Sequence, residues 1–295
     1  MKKIITFALL LCVTLTFAAC ANKESSTPEI TIQSLYDATN VPSLLEKYDS
    51  VHIQRSENSK IYEEEYLSKE YRYIDSRNDK NAYGIFSTDH SHYMYYDNMY
   101  VQTITLTSDG IADMKSLFAE ELNINIYSTN LLNDTLTSVT EKDGQIIVKT
   151  VSDQEELDSY KAEGWTLGED EHVLDAKTLK LIYEKTSYSK TETGENYEGV
   201  MRITYGGEIP ESMKKFLEFD QQTENLRTVT VVSNPGASNE KTDTINSPKG
   251  LNVVFSNLAD DEKTYTLYAD AACTQVFEED SDFNSDLTVY VKWDK

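Results

Sequence analysis

Nine of the chain's 20 tyrosines fall between Tyr62 and Tyr100, and no other feature narrows the fold as much. A bulky ring with a polar tip suits a pleated surface that is buried on one side. From residue 51 to 107 the texture is that of strands. The run is broken by the cluster Arg77-Asn78-Asp79-Lys80-Asn81 and by Asp97-Asn98, which has the composition of a two-residue hairpin turn. The spacing predicts antiparallel strands at 51–57, 60–68, 70–76, 82–88, 91–96 and 99–107.

Helical spacing brackets this run. Residues 31–48 place Ile32, Leu35 and Tyr36 on one face, with an interruption at Asn40-Val41-Pro42. Ser43 and Glu46 stand at capping-box spacing ahead of Leu44, Leu45 and Tyr48. Ser108-Asp109-Gly110 opens a second helix through Ile111, Met114, Leu117, Phe118 and Leu122. A hairpin around Lys142-Asp143-Gly144 joins strands at 136–140 and 145–151. A short acidic helix follows at 152–162, with Ser152 and Glu155 at capping spacing and Gly164 past its end. Leu179, Leu181 and Tyr183 share a face of one further strand, and Met201, Ile203 and Tyr205 a face of another. Pro210 starts a last helix with Met213, Phe216 and Leu217 inward. The polar stretch DQQTENLR, residues 220–227, reads as a linker. Beyond it lie only short strands, TVTVV, GLNVVF, TYTLYA and LTVYVKW, as in a small all-β module over 226–295. Val253, Phe255, Leu267, Leu287, Val289, Val291 and Trp293 would form its small core.

The first residues are an export signal. Met1-Lys2-Lys3 is positive, and residues 4–17 form an apolar run of about 14 residues, short of the roughly 20 needed to span a bilayer. Ala18-Ala19 supply small residues before Cys20. Small residues directly ahead of a cysteine resemble the lipobox of bacterial lipoproteins. The resemblance implies a signal peptide over 1–19, lipid on Cys20 and a protein held at the extracytoplasmic face of a bacterial membrane. Residues 20–29 then read as a lipidated tether, spanning at most about 30 Å.

Composition limits what such a protein handles. The net charge of −24 argues against nucleic acid and against lying flat on an anionic bilayer. Of three cysteines, the signal removes Cys12 and acylation uses Cys20, so Cys273 has no intrachain partner. No HExxH, GxSxG, Walker A or dinucleotide fingerprint occurs, and the chain is read as non-enzymatic, with no cofactor and no metal. His90 and His92, near Asp89 and Asp97, are read as incidental rather than as a metal site. His52 and His172 belong to no recognisable constellation. The acidic run from Asp280 to Asp286 lacks the glycine and the bidentate glutamate of a calcium loop and reads as solvated.

The order of elements over 30–222 resembles the LolA/LppX-like half-barrel lipoproteins, with Asp175-Ala176-Lys177-Thr178 as the turn into a strand. The fold expected is α+β: a curved antiparallel sheet with covering helices, plus the small module. The segments at Tyr265–Asp270 and Ser285–Trp293 resemble the Listeria–Bacteroides repeat of surface proteins, in a diverged single copy. The half-barrel resemblance implies a lipid or other apolar ligand held between the concave sheet face and the helices. The walls would be Leu179, Leu181, Tyr183, Met201, Ile203 and Tyr205, with Ile111, Met114 and Phe118 from the lid. The alternative is a scaffold with a filled core that meets an envelope protein or polysaccharide.

Overall fold

The computed structural model describes residues 29–77, 82–256, 264–278 and 282–293. Cys20, the export segment and Asp280-Ser281 lie outside them. Two short helices open the fold, α1 (Ile32–Asp37) and α2 (Val41–Lys47). Six strands follow in a meander: β1 (Ser50–Glu57), β2 (Lys60–Ser68), β3 (Arg72–Arg77), β4 (Ala82–Ser87), β5 (His92–Tyr96) and β6 (Met99–Thr107). Their bounds lie within two residues of the predicted ones. Asn58-Ser59 and Asp97-Asn98 take positive φ at both positions, the backbone a two-residue hairpin needs.

Next come a short strand β7 (Gly110–Ile111), helix α3 (Met114–Leu122) and a 3-10 turn (Thr129–Asn133). Strands β8 (Thr135–Lys142) and β9 (Gln145–Val151) are followed by helix α4 (Gln154–Ala162). Strands β10 (Trp165–Asp175), β11 (Leu181–Lys190) and β12 (Asn196–Tyr205) lead to α5 (Lys214–Asp220). The C-terminal strands are β13 (Leu226–Ser233), β14 (Lys241–Pro248), β15 (Asn252–Ser256), β16 (Tyr265–Tyr268) and β17 (Leu287–Trp293).

One 13-stranded sheet runs β15-β6-β5-β4-β3-β2-β1-β12-β11-β10-β9-β8, with β7 beside β6. The sheet is curved and unclosed, a half-barrel, and antiparallel except where β15 lies parallel to β6. Irregular register in β1, β8 and β10 adds bend. In β10 the kink requires Gly168, because a Cβ there would stand 2.9 Å from the carbonyl oxygen of Ser187.

The two sheet faces have different cores. On the concave face Val51, Ile53, Leu67, Ile146, Val148, Leu174, Leu181 and Ile203 pack under Leu35, Val41, Leu44 and Leu45 of α1 and α2. The cap of α2 is Asn40, whose side chain accepts from Ser43 N, three residues earlier than the Ser43–Glu46 box expected. On the opposite face Tyr66, Tyr73, Phe86 and Tyr93 pair directly across β2 to β5 and pack beneath Met213 and Phe216. Phe216 stacks on Phe86 at 5.7 Å. The tyrosine-rich run therefore builds a filled core under α5.

The second sheet, β14-β13-β17-β16, holds four of the C-terminal strands. Its core is shared: Val229, Val231, Val289 and Val291 pack with Val253 and with Ile104 and Leu106 of β6. The stretch expected as a linker ends in Arg227, only 2% exposed. Its guanidinium donates to the carbonyls of Asp282 (2.9 Å), Ser285 (3.3 Å) and Leu251 (3.1 Å). Strand pairing, core and a buried arginine all join the C-terminal stretch to the large sheet.

Candidate functional site

Strand register turns the concave face into layers. The layer beneath the helices is apolar: Ile146, Leu174, Leu181, Ile203 and Ile53. The next, one step along the strands, reads Val148, His172, Glu184, Met201 and Arg55 in direct pairs. The layer after that is Thr150, Asp170, Thr186, Gly199 and Glu57. Tyr188 and Tyr197 close the series. One concave surface thus passes from a filled apolar end to an open polar one.

At the open end lies a cleft of about 430 Å³. Its floor is Arg55, Glu57, Asp170, Glu184, Thr186, Tyr188, Gly199 and Met201. Its walls come from the 126–134 strap (Ile126, Tyr127, Leu131, Asp134), from α4 (Glu156, Tyr160) with Ser152 just before it, and from Tyr62 of β2. The strap is fixed to the first helices, since Val41 N donates to Ile124 O at 2.9 Å and Ile126 N to Thr39 O at 3.0 Å. A second cleft of about 420 Å³ shares Leu167 and Tyr188 with the first. Tyr188 and Tyr197 line it too, and their rings meet that of Trp165, which lies outside both linings, at centroid distances of 5.3 to 5.6 Å.

Burial and crowding of like charges set the ionisation of the cleft. Glu184, with a side chain 21% exposed, is pushed up to about 8 by burial and then by the nearby charge of Asp170, against the pull of Arg55. Burial and then Glu156 and Asp170 raise Asp134 to about 7. Asp170 is also raised by burial, with a hydrogen bond from Thr186 opposing. Beneath Glu184, the buried ring of His172 meets the Tyr127 hydroxyl at 2.7 Å and the Thr150 hydroxyl at 3.0 Å. Burial holds this imidazole down at about 4 and so keeps it neutral.

Met201 alone of the nine candidate wall residues lines the cleft. Leu181 and Ile203 are buried in the apolar core, and Leu179 and Tyr205 pack against it. Leu179 precedes its strand in a turn with φ of 57°. Tyr183 donates to Glu171 at 3.2 Å on the other face. Ile111 sits in β7 against the C-terminal core, and Phe118 and Met114 lie on α3, away from the cleft lining. The cleft is built instead from residues without an apolar signature. His172, read from the sequence as belonging to no constellation, does not line the cleft but holds the hydroxyl of Tyr127, which does.

His90 stands in the turn before β5, with Nδ1 2.6 Å from Asp89 and Nε2 3.2 Å from Asp220, while the His92 ring is buried. Among the described residues no group of three or more His, Cys, Asp or Glu side chains is placed to hold a metal ion. Nor is any helix among them long and apolar enough to cross a membrane.

The chain is similar in structure to the Mycobacterium tuberculosis lipoprotein LppX, at 6% identity and a TM-score of 0.35, over 61% of this chain and 96% of that one. It is also similar to a LolA superfamily protein of Nitrosomonas europaea, at 8% identity and a TM-score of 0.19, over 59% and 96%. No protein-family model and no curated protein sequence matches the chain.

Proposed function

We propose that this is a lipoprotein, anchored through Cys20 at the extracytoplasmic face of a bacterial membrane, whose half-barrel binds an amphipathic ligand without transforming it. The open cleft of about 430 Å³ carries this reading, because it sets apolar and polar groups around one concavity. Ile126, Leu131, Leu167 and Met201 offer an aliphatic part its contacts, while carboxyls and hydroxyls receive the polar end. A lipid with a compact polar head is one ligand of this kind. The four-stranded sheet is read as an accessory unit.

The test is a soluble form starting at residue 21, incubated with envelope extract of the producing cell, repurified and weighed by native mass spectrometry. The reading expects one bound mass per chain. In parallel, Cys20→Ala should release the full-length protein from the membrane fraction. A folded protein that emerges without any adduct overturns the binding reading.

A second reading is a scaffold that meets an envelope partner. It is supported by the packing of Leu181 and Ile203 into a filled core and by β8, an edge strand exposed along its whole length, with Leu136 and Val139 on it. An unpaired edge is a template for another chain's strand.

A further inference from the structure

The chemistry of the cleft is more specific than an amphipathic site requires. Its lining holds the carboxyls of Glu57, Asp134, Glu156, Asp170 and Glu184 against one cationic side chain, Arg55. Arg55 is already compensated, with its Nη1 2.6 Å from Glu63 and 3.5 Å from Glu65 on β2. Among the described residues the lining thus has no cation to match its carboxyls, which burial and mutual crowding hold partly protonated and which an arriving cation would ionise.

Two further observations point outward from this charge. Asp134 Oδ1 and Asp170 Oδ1, both in the lining, are buried and accept no hydrogen bond. Buried carboxylate oxygens are costly to leave unpaired, and a donor arriving with a ligand would relieve that cost. Four tyrosines also line the cleft, Tyr62, Tyr127, Tyr160 and Tyr188, and Tyr197 lies next along in the adjoining cleft with its ring against Trp165. Aromatic faces attract ammonium groups, and Lys190 Nζ already sits 5.9 Å from the centre of the Trp165 ring.

We propose that the cleft selects a ligand bearing protonated amines on an aliphatic chain, an assignment that rests on the cleft being the ligand site. One ammonium group lies among Asp134, Asp170 and Glu184, and the chain runs past Leu167 and Tyr188 towards Tyr197. Carboxylates and π faces both favour a cation, and the aliphatic side chains Ile126, Leu131, Leu167 and Met201 favour methylenes. An anionic headgroup would meet five carboxyls and is disfavoured.

The test is isothermal titration calorimetry on the chain from residue 21, at pH 7 and near-physiological salt, where distant surface charges are screened. Four probes are used: 1,8-diaminooctane, 1,8-octanediol, suberate and magnesium ion. The diamine is expected to bind one to one, at least about tenfold tighter than the diol, with suberate not binding. The double variant Asp170→Asn, Glu184→Gln should lose at least about tenfold for the diamine. Glu46→Gln, an exposed acid on α2, should change nothing. Gly199→Leu, which fills the floor without touching charge, should also abolish binding and serves if the double variant does not fold.

Equal or tighter binding of the diol or suberate overturns the ammonium assignment and leaves the binding function standing. A loss for Glu46→Gln as large as for the double variant reduces the effect to net charge and overturns it too. So does magnesium displacing the diamine at equal concentration. If no probe binds while a mass from the envelope extract does, the amine inference fails alone. If neither binds, both readings fail.

Discussion

The Tyr127 hydroxyl lies 2.7 Å from Nδ1 of His172, whose ring is wholly buried. The partner on Nε2 is Thr150, at 3.0 Å. A neutral imidazole satisfies both contacts, donating from one nitrogen and accepting at the other. Through this pair the 126–134 strap is tied to the sheet floor. Tyr127→Phe leaves one buried ring nitrogen without a partner and should cost about 1–3 kcal/mol in urea denaturation. A variant as stable as wild type would show that this contact adds nothing to the strap's other hydrogen bonds and packing.

Glu184 gives the cleft a pH signature. Its carboxyl titrates near 8 in the folded protein against an ordinary 4.5, so the folded state holds the proton more tightly. The stability this group contributes is complete below about 4.5 and is lost as pH rises through 8. His172 and His92, both held near 4 against an ordinary 6.5, act the other way, and their contribution is lost as pH falls from 6.5 to 4. Glu184→Gln isolates the first effect. Its melting temperature should exceed that of wild type at pH 8.5, with the gain shrinking towards pH 5. A gain that is constant across that range would contradict the assignment.

Arg227 joins Leu251 to the 282–285 loop through three backbone carbonyls, in a site closed to solvent. Arg227→Ala removes these charged hydrogen bonds and leaves a cavity beside unpaired carbonyls. A loss of at least about 3 kcal/mol is expected in guanidinium denaturation. A change below about 0.5 kcal/mol would mean that the guanidinium is a surface group.

The C-terminal stretch shares its core with β6. Ending the chain at residue 222 would uncover Ile104 and Leu106, remove Leu251 from the core under α5 and leave β6 without β15. The shortened chain should melt well below the full one and bind a hydrophobic dye at room temperature. Equal melting temperatures would restore the picture of a detachable module.

The meander from β1 to β6 was legible because its strands are dense in tyrosine and its turns carry their own chemistry, such as Asp97-Asn98 with positive φ at both residues. Strand β10 was not. Its sequence, WTLGEDEHVLD, puts Asp170 and His172 on the inner face, where a half-buried strand ordinarily shows apolar residues. The cleft was hidden for the same reason, since its floor carries charged and polar side chains where an apolar signal would have marked an inner face. Residues at helical spacing suggested one helix from Ile111, whereas Asp113 caps α3 and Ile111 belongs to β7. Arg227 looked like linker, since nothing local to an arginine tells that three distant carbonyls will surround it.

Gly199 supplies the most direct test of the cleft itself. It lies on the cleft floor between Thr186 and Glu57, and a Cβ built there meets nothing closer than 3.8 Å, in the Tyr188 ring. A larger side chain is therefore accommodated by the strand and projects into the opening. Wild type and Gly199→Leu, both starting at residue 21, are to be incubated with the same envelope extract and compared by native mass spectrometry. The account predicts a bound mass on wild type and none on the variant, at matching circular dichroism. The same bound mass on both proteins would place the ligand elsewhere and contradict it.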